Sequence, residues 1–310
     1  MNIDGILKEK TRAAVLASFA ADSLALAAHW IYDTSQLDER FGRIERLTAP
    51  GKDSFHATKT AGDFTHYGDQ MLVLLESLAQ RAAFDLDDFA RRWRAFFDGY
   101  TGYIDKATSA TLENMARGAG PEAAGSLSTD LAGAGRIAPL VHLHRNDRQA
   151  LVRAARLQTT MTHNEPTVVA AAGFFAEVTW EVLHGADPRE ALQAVVRQET
   201  YRRLFTKPVD AGLASAAEET RAAVSRFGQS CATEGAFPGV VHLIARYTED
   251  LREALIQNVM AGGDSAGRGL LAGLVLGAHG GRAAVPDEWI SEMRATPRIL
   301  QLLDGIDRAG

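Results

Sequence analysis

Four short polar clusters interrupt an otherwise apolar, helix-patterned chain, and each holds residue types that can move protons or bind anions and metals. In "AADSLALAAHW", Asp22 and His29 stand seven residues apart, which is two helical turns and therefore one helix face. In "THYGDQM", His66 and Asp69 fall at the mouth of a helix, and in "TTMTHNEP", Thr162, His163, Asn164 and Glu165 fall at a helix boundary. In "NVMAGGDSAGRG", Gly262 and Gly263 let the backbone turn, and Asp264 or Ser265 can cap the helix that follows. Carboxylates beside imidazoles suit general acid–base work, and helix N-termini offer free N–H groups to anions such as phosphate. Each cluster also has a structural account: Asp69 and Asp264 as caps, His29 as a buried histidine with one partner, His163 to Pro166 as a turn.

Helices must position these groups. Apolar residues recur three and four apart through 7–31, 71–81, 87–100, 148–161, 167–184, 188–199 and 211–227, and again through 237–246, 251–260, 265–276 and 290–303. That is the helical period. Alternating Val, Ile and Thr runs are nearly absent, so no sheet is expected and the fold class is all-α. Pro50-Gly51, 118–125, Pro166, Asp187-Pro188, Lys207-Pro208 and Gly262-Gly263 mark helix ends. None resembles a long linker and no repeat is evident, so residues 1–310 read as one domain. The segments 167–180 and 269–276, apolar on more than one face, belong at its centre. The stretch 34–67 has little helical period beyond its start, and irregular segments of that kind tend to border sites.

Composition excludes several function classes. Hydrophobic residues at 46% and charged residues at 23% are ordinary globular values. A net charge of −6 gives no general attraction to polyphosphate. "RRWR" at 91–94 follows Asp85, Asp87 and Asp88 and reads as a solvated helix face, so no nucleic-acid partner is expected. The one cysteine, Cys231, excludes an intramolecular disulfide, fits a reducing compartment, and reads as a buried structural thiol rather than a nucleophile. The N-terminal stretch lacks signal-peptide organisation, and "GLLAGLVLGAHGG" is too short and glycine-rich to span a bilayer. No membrane partner and a cytoplasmic location are the expectations. "GAGRIAP" lacks the strand and spacing of a dinucleotide fingerprint, and no phosphate loop, HExxH or GxSxG occurs.

Taken in order, the clusters resemble the ADP-ribosylglycohydrolase family over nearly the whole chain. "AADSLALAAHW" stands where that family has Gly-Asp-Ala-Leu-Gly, with Asp22 matching the Asp, and "HYGDQM" stands where it has Thr-Asp-Asp-Thr-x-Met. "GAGRIAPL" resembles Met-Arg-x-Ala-Pro-Leu through Arg136, Ala138, Pro139 and Leu140, and Thr162-His163 matches a Thr-His pair. "GGDSAGRGLLAGLVLGAHGG" resembles the terminal Gly-Gly-Asp-Thr-Asp-Thr helix and the Gly-x-Leu-x-Gly-Ala-x-x-Gly after it. "HWIYD … HYGDQ" also resembles the branch that includes selenoprotein J and the jellyfish J-type crystallins.

The resemblance implies a compact all-α protein that cleaves the glycosidic bond at C1″ of ADP-ribose on a protein side chain or small acceptor. It also implies two Mg²⁺ ions on the Thr-Asp-Asp and Asp-x-Asp-Thr motifs. With Met71 aligned, the Thr-Asp-Asp positions hold His66, Tyr67 and Gly68, and Asp69 replaces the second Thr. In the terminal motif Asp264 is kept, but Ala266 and Gly267 replace the second Asp and the next Thr, and His29 replaces the Glu that often closes the first motif. The two Mg²⁺ ions are therefore expected to be absent. A single Zn²⁺ or Mn²⁺ on Asp69, Asp264 and a histidine is the alternative.

The resulting expectation is a hydrolase acting on an N- or O-glycosidic bond of an ADP-ribosyl or related compound. Asp69 or Asp264 would serve as general base or stabilise an oxocarbenium-like transition state, with His66 or His29 tuning protonation. Arg136, Thr162, His163, Gly262, Gly263, Ser265 and Arg268 would bind substrate, Arg268 supplying positive charge in place of a metal. The competing expectation is a catalytically silent binding or structural protein that keeps the fold.

Overall fold

The helical period becomes sixteen α-helices in the computed structural model, which describes residues 3–309. They are α1 (Ile3–Ala25), α2 (Thr34–Phe41), α3 (His66–Arg81), α4 (Leu86–Phe97), α5 (Lys106–Ala116), α6 (Ala138–Leu143), α7 (Arg148–Thr160) and α8 (Pro166–Leu183). The second half adds α9 (Pro188–Val196), α10 (Glu199–Ala214), α11 (Thr220–Phe227), α12 (Thr233–Arg246), α13 (Leu251–Met260), α14 (Ser265–Gly280), α15 (Asp287–Glu292) and α16 (Thr296–Ala309). No strand forms among the described residues; two isolated bridges, Ser126 with His163 and Asp130 with Ala232, tie loops together. Local chemistry starts many of the helices. Asp33, Asp85, Asp105, Asp147, Asp187, Asp250 and Asp264 each accept a hydrogen bond from a first-turn N–H, satisfying donors that the helix cannot pair internally.

The core is built on α1 and α14, the most extensive helix pair. Small residues make that approach possible: Cβ atoms added at Gly269 and Gly273 would lie 3.3 and 3.2 Å from the Ala21 Cβ, and one at Gly277 would lie 2.7 Å from the Ala17 Cβ. Behind this pair, α8 is long and apolar enough by length and composition to cross a membrane, but 67% of it is buried inside the fold. Its Phe174 packs at a tilt against Phe205 of α10 and Phe237 of α12, and its Phe175 against Phe237, with centroids 4.9–5.5 Å apart, so its apolar faces are met by protein.

Several helix boundaries differ from those read in the sequence: the period at 7–31 is helix only to Ala25, and that at 211–227 is divided between the end of α10 and α11. Helix α10 runs straight through Pro208, where a break was expected; the ring removes the N–H that would pair with the carbonyl of Leu204, a residue that is 43% exposed. The apolar period at 290–303 is divided between α15 and α16.

The glycines offer a direct test of the packing. Gly277→Ala is expected to destabilise the protein by about 1–3 kcal/mol, because overpacking cannot be relieved where the neighbour is backbone; its Cβ would also meet the Ala14 Cα at 3.0 Å. Gly305→Ala on α16 has its nearest contact at 3.8 Å, the Ala79 Cβ, and should gain about 1 kcal/mol of helix propensity. Urea melts of the two variants should move in opposite directions.

Candidate active site

The site forms where three chain segments meet. Helix α1 ends at Ala25, and a turn carries the chain to Trp30, whose φ of 66° is exceptional for a bulky residue. Two reciprocal hydrogen bonds hold this turn: Trp30 N–H donates to Gly263 O at 2.9 Å, and Gly263 N–H donates to Ile31 O at 2.8 Å. Gly262 and Gly263 are both left-handed, and a Cβ on Gly263 would lie 2.1 Å from Gln229 O, so only glycine fits. His29 thus lies beyond the helix rather than on the Asp22 face, which corrects the two-turn expectation.

Asp22 instead anchors the start of α3. It accepts from Thr65 N–H at 2.8 Å and from the Thr65 hydroxyl at 2.6 Å, while Thr65 caps the helix through Tyr67 N–H. A Cβ at Gly68 would stand 2.4 Å from Asp22 Oδ2, so glycine at this position permits the anchor. Burial raises the Asp22 carboxyl to about 6.

Above this anchor, His29, His56 and His66 come together, each almost wholly buried, with ring centroids 5.3–6.1 Å apart. His66 Nε2 lies 3.0 Å from Asp105 Oδ2, and His29 Nδ1 lies 3.5 Å from Asp264 Oδ1. Burial alone would raise the Asp105 carboxyl, yet His66 beside it holds it well below the usual carboxylate range. Next to the histidines sits a second group, Asp130, Cys231 and Asp264, with one potential ligand atom from each lying within 4.8 Å of the others. Asp130 accepts from the Tyr67 hydroxyl at 3.0 Å and from Ala132 N–H. Asp264 accepts from Gly267 N–H at 3.0 Å, and its Oδ2 is buried without a hydrogen-bond partner.

Burial, then the Asp264 charge, drives the Asp130 carboxyl well above its ordinary range, and burial also raises Asp264. Two close carboxylates cannot both ionise readily, so the pair favours holding one proton between them. Burial and both aspartates push the Cys231 thiol up, which leaves it a poor nucleophile.

Two cavities adjoin these groups. One of about 370 Å³ is lined by His29, Trp30, Tyr32 and Phe55, and Tyr103 packs edge-on against Trp30 and Phe55 at its rim. The other, about 650 Å³, is bounded by Thr129 and Ala232, the chain neighbours of Asp130 and Cys231, and has Lys207 in its wall.

The remaining expected site residues are placed differently. Asp69 is ion-paired with Lys59 and accepts from the Tyr100 hydroxyl at 2.6 Å; it joins neither ligand group, so a shared Asp69–Asp264 metal is not assembled. Arg136 is buried and donates to Gln70, Gln158 and Thr162. Thr162 in turn meets His163 Nδ1 at 2.9 Å, so Arg136 braces the Thr-His pair instead of facing a cavity. Arg268 is also buried and donates to Asn258 Oδ1, Gln229 O and Gly262 O. Its donors hold the diglycine turn from beneath, in place of the substrate contact expected of it. Ser265 is buried with its hydroxyl unpartnered. His56, Asp105 and Asp130 were not distinguished in the sequence, since none has a local pattern beyond a helix cap.

These donors do not suit the two Mg²⁺ ions that the resemblance implies. Octahedral Mg²⁺ demands oxygen ligands, but the motif positions carry an imidazole, a phenol and a glycine at 66–68, and Ala266 and Gly267 offer no side-chain oxygen. Asp264 already serves as a helix cap.

An all-helical fold with its polar site at the diglycine turn defines the class. The chain belongs to the ADP-ribosylglycohydrolase family, whose profile matches residues 4–310. It is similar to crystallins J1A and J1B of Tripedalia cystophora, each 25% identical and each covering 97% of this chain and 97% of the relative. It is also similar to an uncharacterized protein of Archaeoglobus fulgidus, 25% identical over 93% of this chain and 92% of that one. A solved structure described as an ADP-ribosylglycohydrolase-related protein complex superposes with a TM-score of 0.74 at 25% identity, covering 97% of this chain and 98% of the other.

A histidine away from the site carries a pH prediction. His242 lies between Ser215 Oγ at 2.8 Å and Thr220 Oγ1 at 3.1 Å, and burial, then Arg246, lowers it to about 4. It is neutral in the native state, while the unfolded chain protonates it below about pH 6.5. Its contribution is therefore full above that pH and is lost as pH falls toward 4. Wild type should lose more stability between pH 7 and pH 4 than His242→Gln, as read from urea midpoints.

Proposed function

We propose that this protein is a hydrolase of the N- or O-glycosidic bond in an ADP-ribosyl or related compound, with Asp130 and Asp264 as its acid–base pair. The observation that carries this reading is the close pairing of two buried carboxylates, both raised above their ordinary range by burial, beside the histidine cluster. Glycoside hydrolysis needs one protonated carboxyl to give its proton to the leaving atom and one carboxylate to stabilise the cationic sugar or take a proton from water. Asp130 suits the first role and Asp264, beside His29, the second. Trp30, Tyr32 and Phe55 can stack on a planar base, and Lys207 in the neighbouring cavity can meet phosphate charge.

A silent reading is favoured by one observation, the full-length similarity to two crystallins. The two separate on a pair of measurements: thermal stabilisation by ADP-ribose, and release of ADP-ribose from ADP-ribosylated arginine, serine or small acceptors. Stabilisation with turnover supports the hydrolase. Stabilisation without turnover supports a binding protein that has kept the pocket, and neither would overturn both the substrate class and the site.

A further inference from the structure

We propose that His29, His56 and His66 form a binding site for a single zinc-class divalent ion, distinct in ligand type from the oxygen sites implied by the family resemblance. This goes beyond the hydrolase reading and does not depend on it, because its test reads metal binding rather than turnover.

The three imidazoles come from separate segments: the turn after α1, the irregular stretch before α3, and the first residue of α3. Their exposures are 2%, 0% and 1%. Neither ring nitrogen of His29 or His56 has a hydrogen-bond partner, nor does His66 Nδ1. Buried polar atoms are nearly always paired, since each unpaired group forfeits its hydration, and here orphaned nitrogens are concentrated at one point. One ring nitrogen from each histidine lies within 4.8 Å of the others, so small side-chain rotations bring all three onto one ion.

The surroundings have the form of a metal site's outer shell. Asp105 lies 3.0 Å from His66 Nε2 and leaves Nδ1 free to face the cluster, the way a carboxylate orients a ligating histidine, while Asp264 stands 3.5 Å from His29 Nδ1 as a nearby negative charge without a hydrogen bond. Three imidazole donors select zinc, copper, nickel or iron over magnesium and calcium. The rings of Trp30 and Tyr103 cover the cluster, while His29 also reaches the 370 Å³ cavity, where a fourth position could take water or ligand.

The test uses the full chain, stripped with a chelator and titrated with Co²⁺ as a spectroscopic probe. One Co²⁺ per chain is expected, with visible ligand-field bands, no thiolate charge-transfer band, displacement by Zn²⁺, and no competition from excess Mg²⁺. The bands should vanish in His56→Ala and persist in Cys231→Ser. A thiolate band that disappears in Cys231→Ser would move the ion to Asp130, Cys231 and Asp264 and overturn the proposal, as would the absence of Co²⁺ uptake by wild type. X-ray absorption of the Zn²⁺-loaded wild type decides independently of whether the variant folds: a shell of three imidazole nitrogens at about 2.0–2.1 Å supports the site, and any other shell refutes it.

Discussion

Asp264→Asn is expected to fold with nearly unchanged stability and to lose about 10²–10⁴-fold in turnover, the usual contribution of a positioned acid or base. The asparagine matters to the design. Asp264 caps α14 through Gly267 N–H, and asparagine caps a helix about as well as aspartate, so the substitution removes the charge and leaves the helix start in place. It also removes the like charge that helps raise Asp130, so the Asp130 carboxyl should move back toward the ordinary range and the alkaline limb of the pH–rate profile, which reports loss of the general acid's proton, should shift to lower pH. The measurements are kcat/KM on the substrate identified by turnover and a thermal melt on the same preparation. Unchanged turnover in a folded Asp264→Asn protein would end the carboxylate-pair reading.

Arg136→Ala should destabilise the protein by about 2–5 kcal/mol, through a core cavity and polar groups left unsatisfied. Arg136 is among the largest fully buried side chains. Burial lowers its guanidinium to about 10, against the pull of Asp105 and Asp130. Its loss strips Gln158 and Thr162 of a charged donor and leaves Gln70 Oε1 with only Trp93 Nε1 at 2.7 Å. Because Thr162 fixes His163, the damage should reach the site as a loss of stability first and of ligand affinity second. A substrate-contact role predicts the reverse order: a raised KM in a protein whose urea midpoint is unchanged. Unfolding and binding titrations on one variant therefore distinguish brace from contact.

The sequence by itself determined the elements and several of their ends. Apolar residues three and four apart specify helices wherever they recur, and aspartates before helices such as α4, α7 and α14 act within three residues of themselves. The diglycine turn before Asp264 was legible for the same reason: left-handed backbone is a local demand. The order of the polar motifs identified the family, and the replaced residues at 66–68 and 266–267 showed that its oxygen ligands were missing.

Only the tertiary structure decided what each polar side chain does. Asp22 and Asp69 look alike as carboxylates in motif positions, yet one is consumed by Thr65 and the other by Lys59 and Tyr100. Arg136 and Arg268 offered positive charge for a ligand, and the fold spends their donors on internal amides, a hydroxyl and carbonyls. His56, Asp105 and Asp130 sit in segments with no helical period or at ordinary helix caps, and they join the site across chain separations of 27 residues (His56 to His29), 39 residues (Asp105 to His66) and 134 residues (Asp130 to Asp264). Helical period is a property of neighbours along the chain, whereas hydrogen-bond partners and charge environments are set by segments that meet only after packing, and it is those that assign the chemistry.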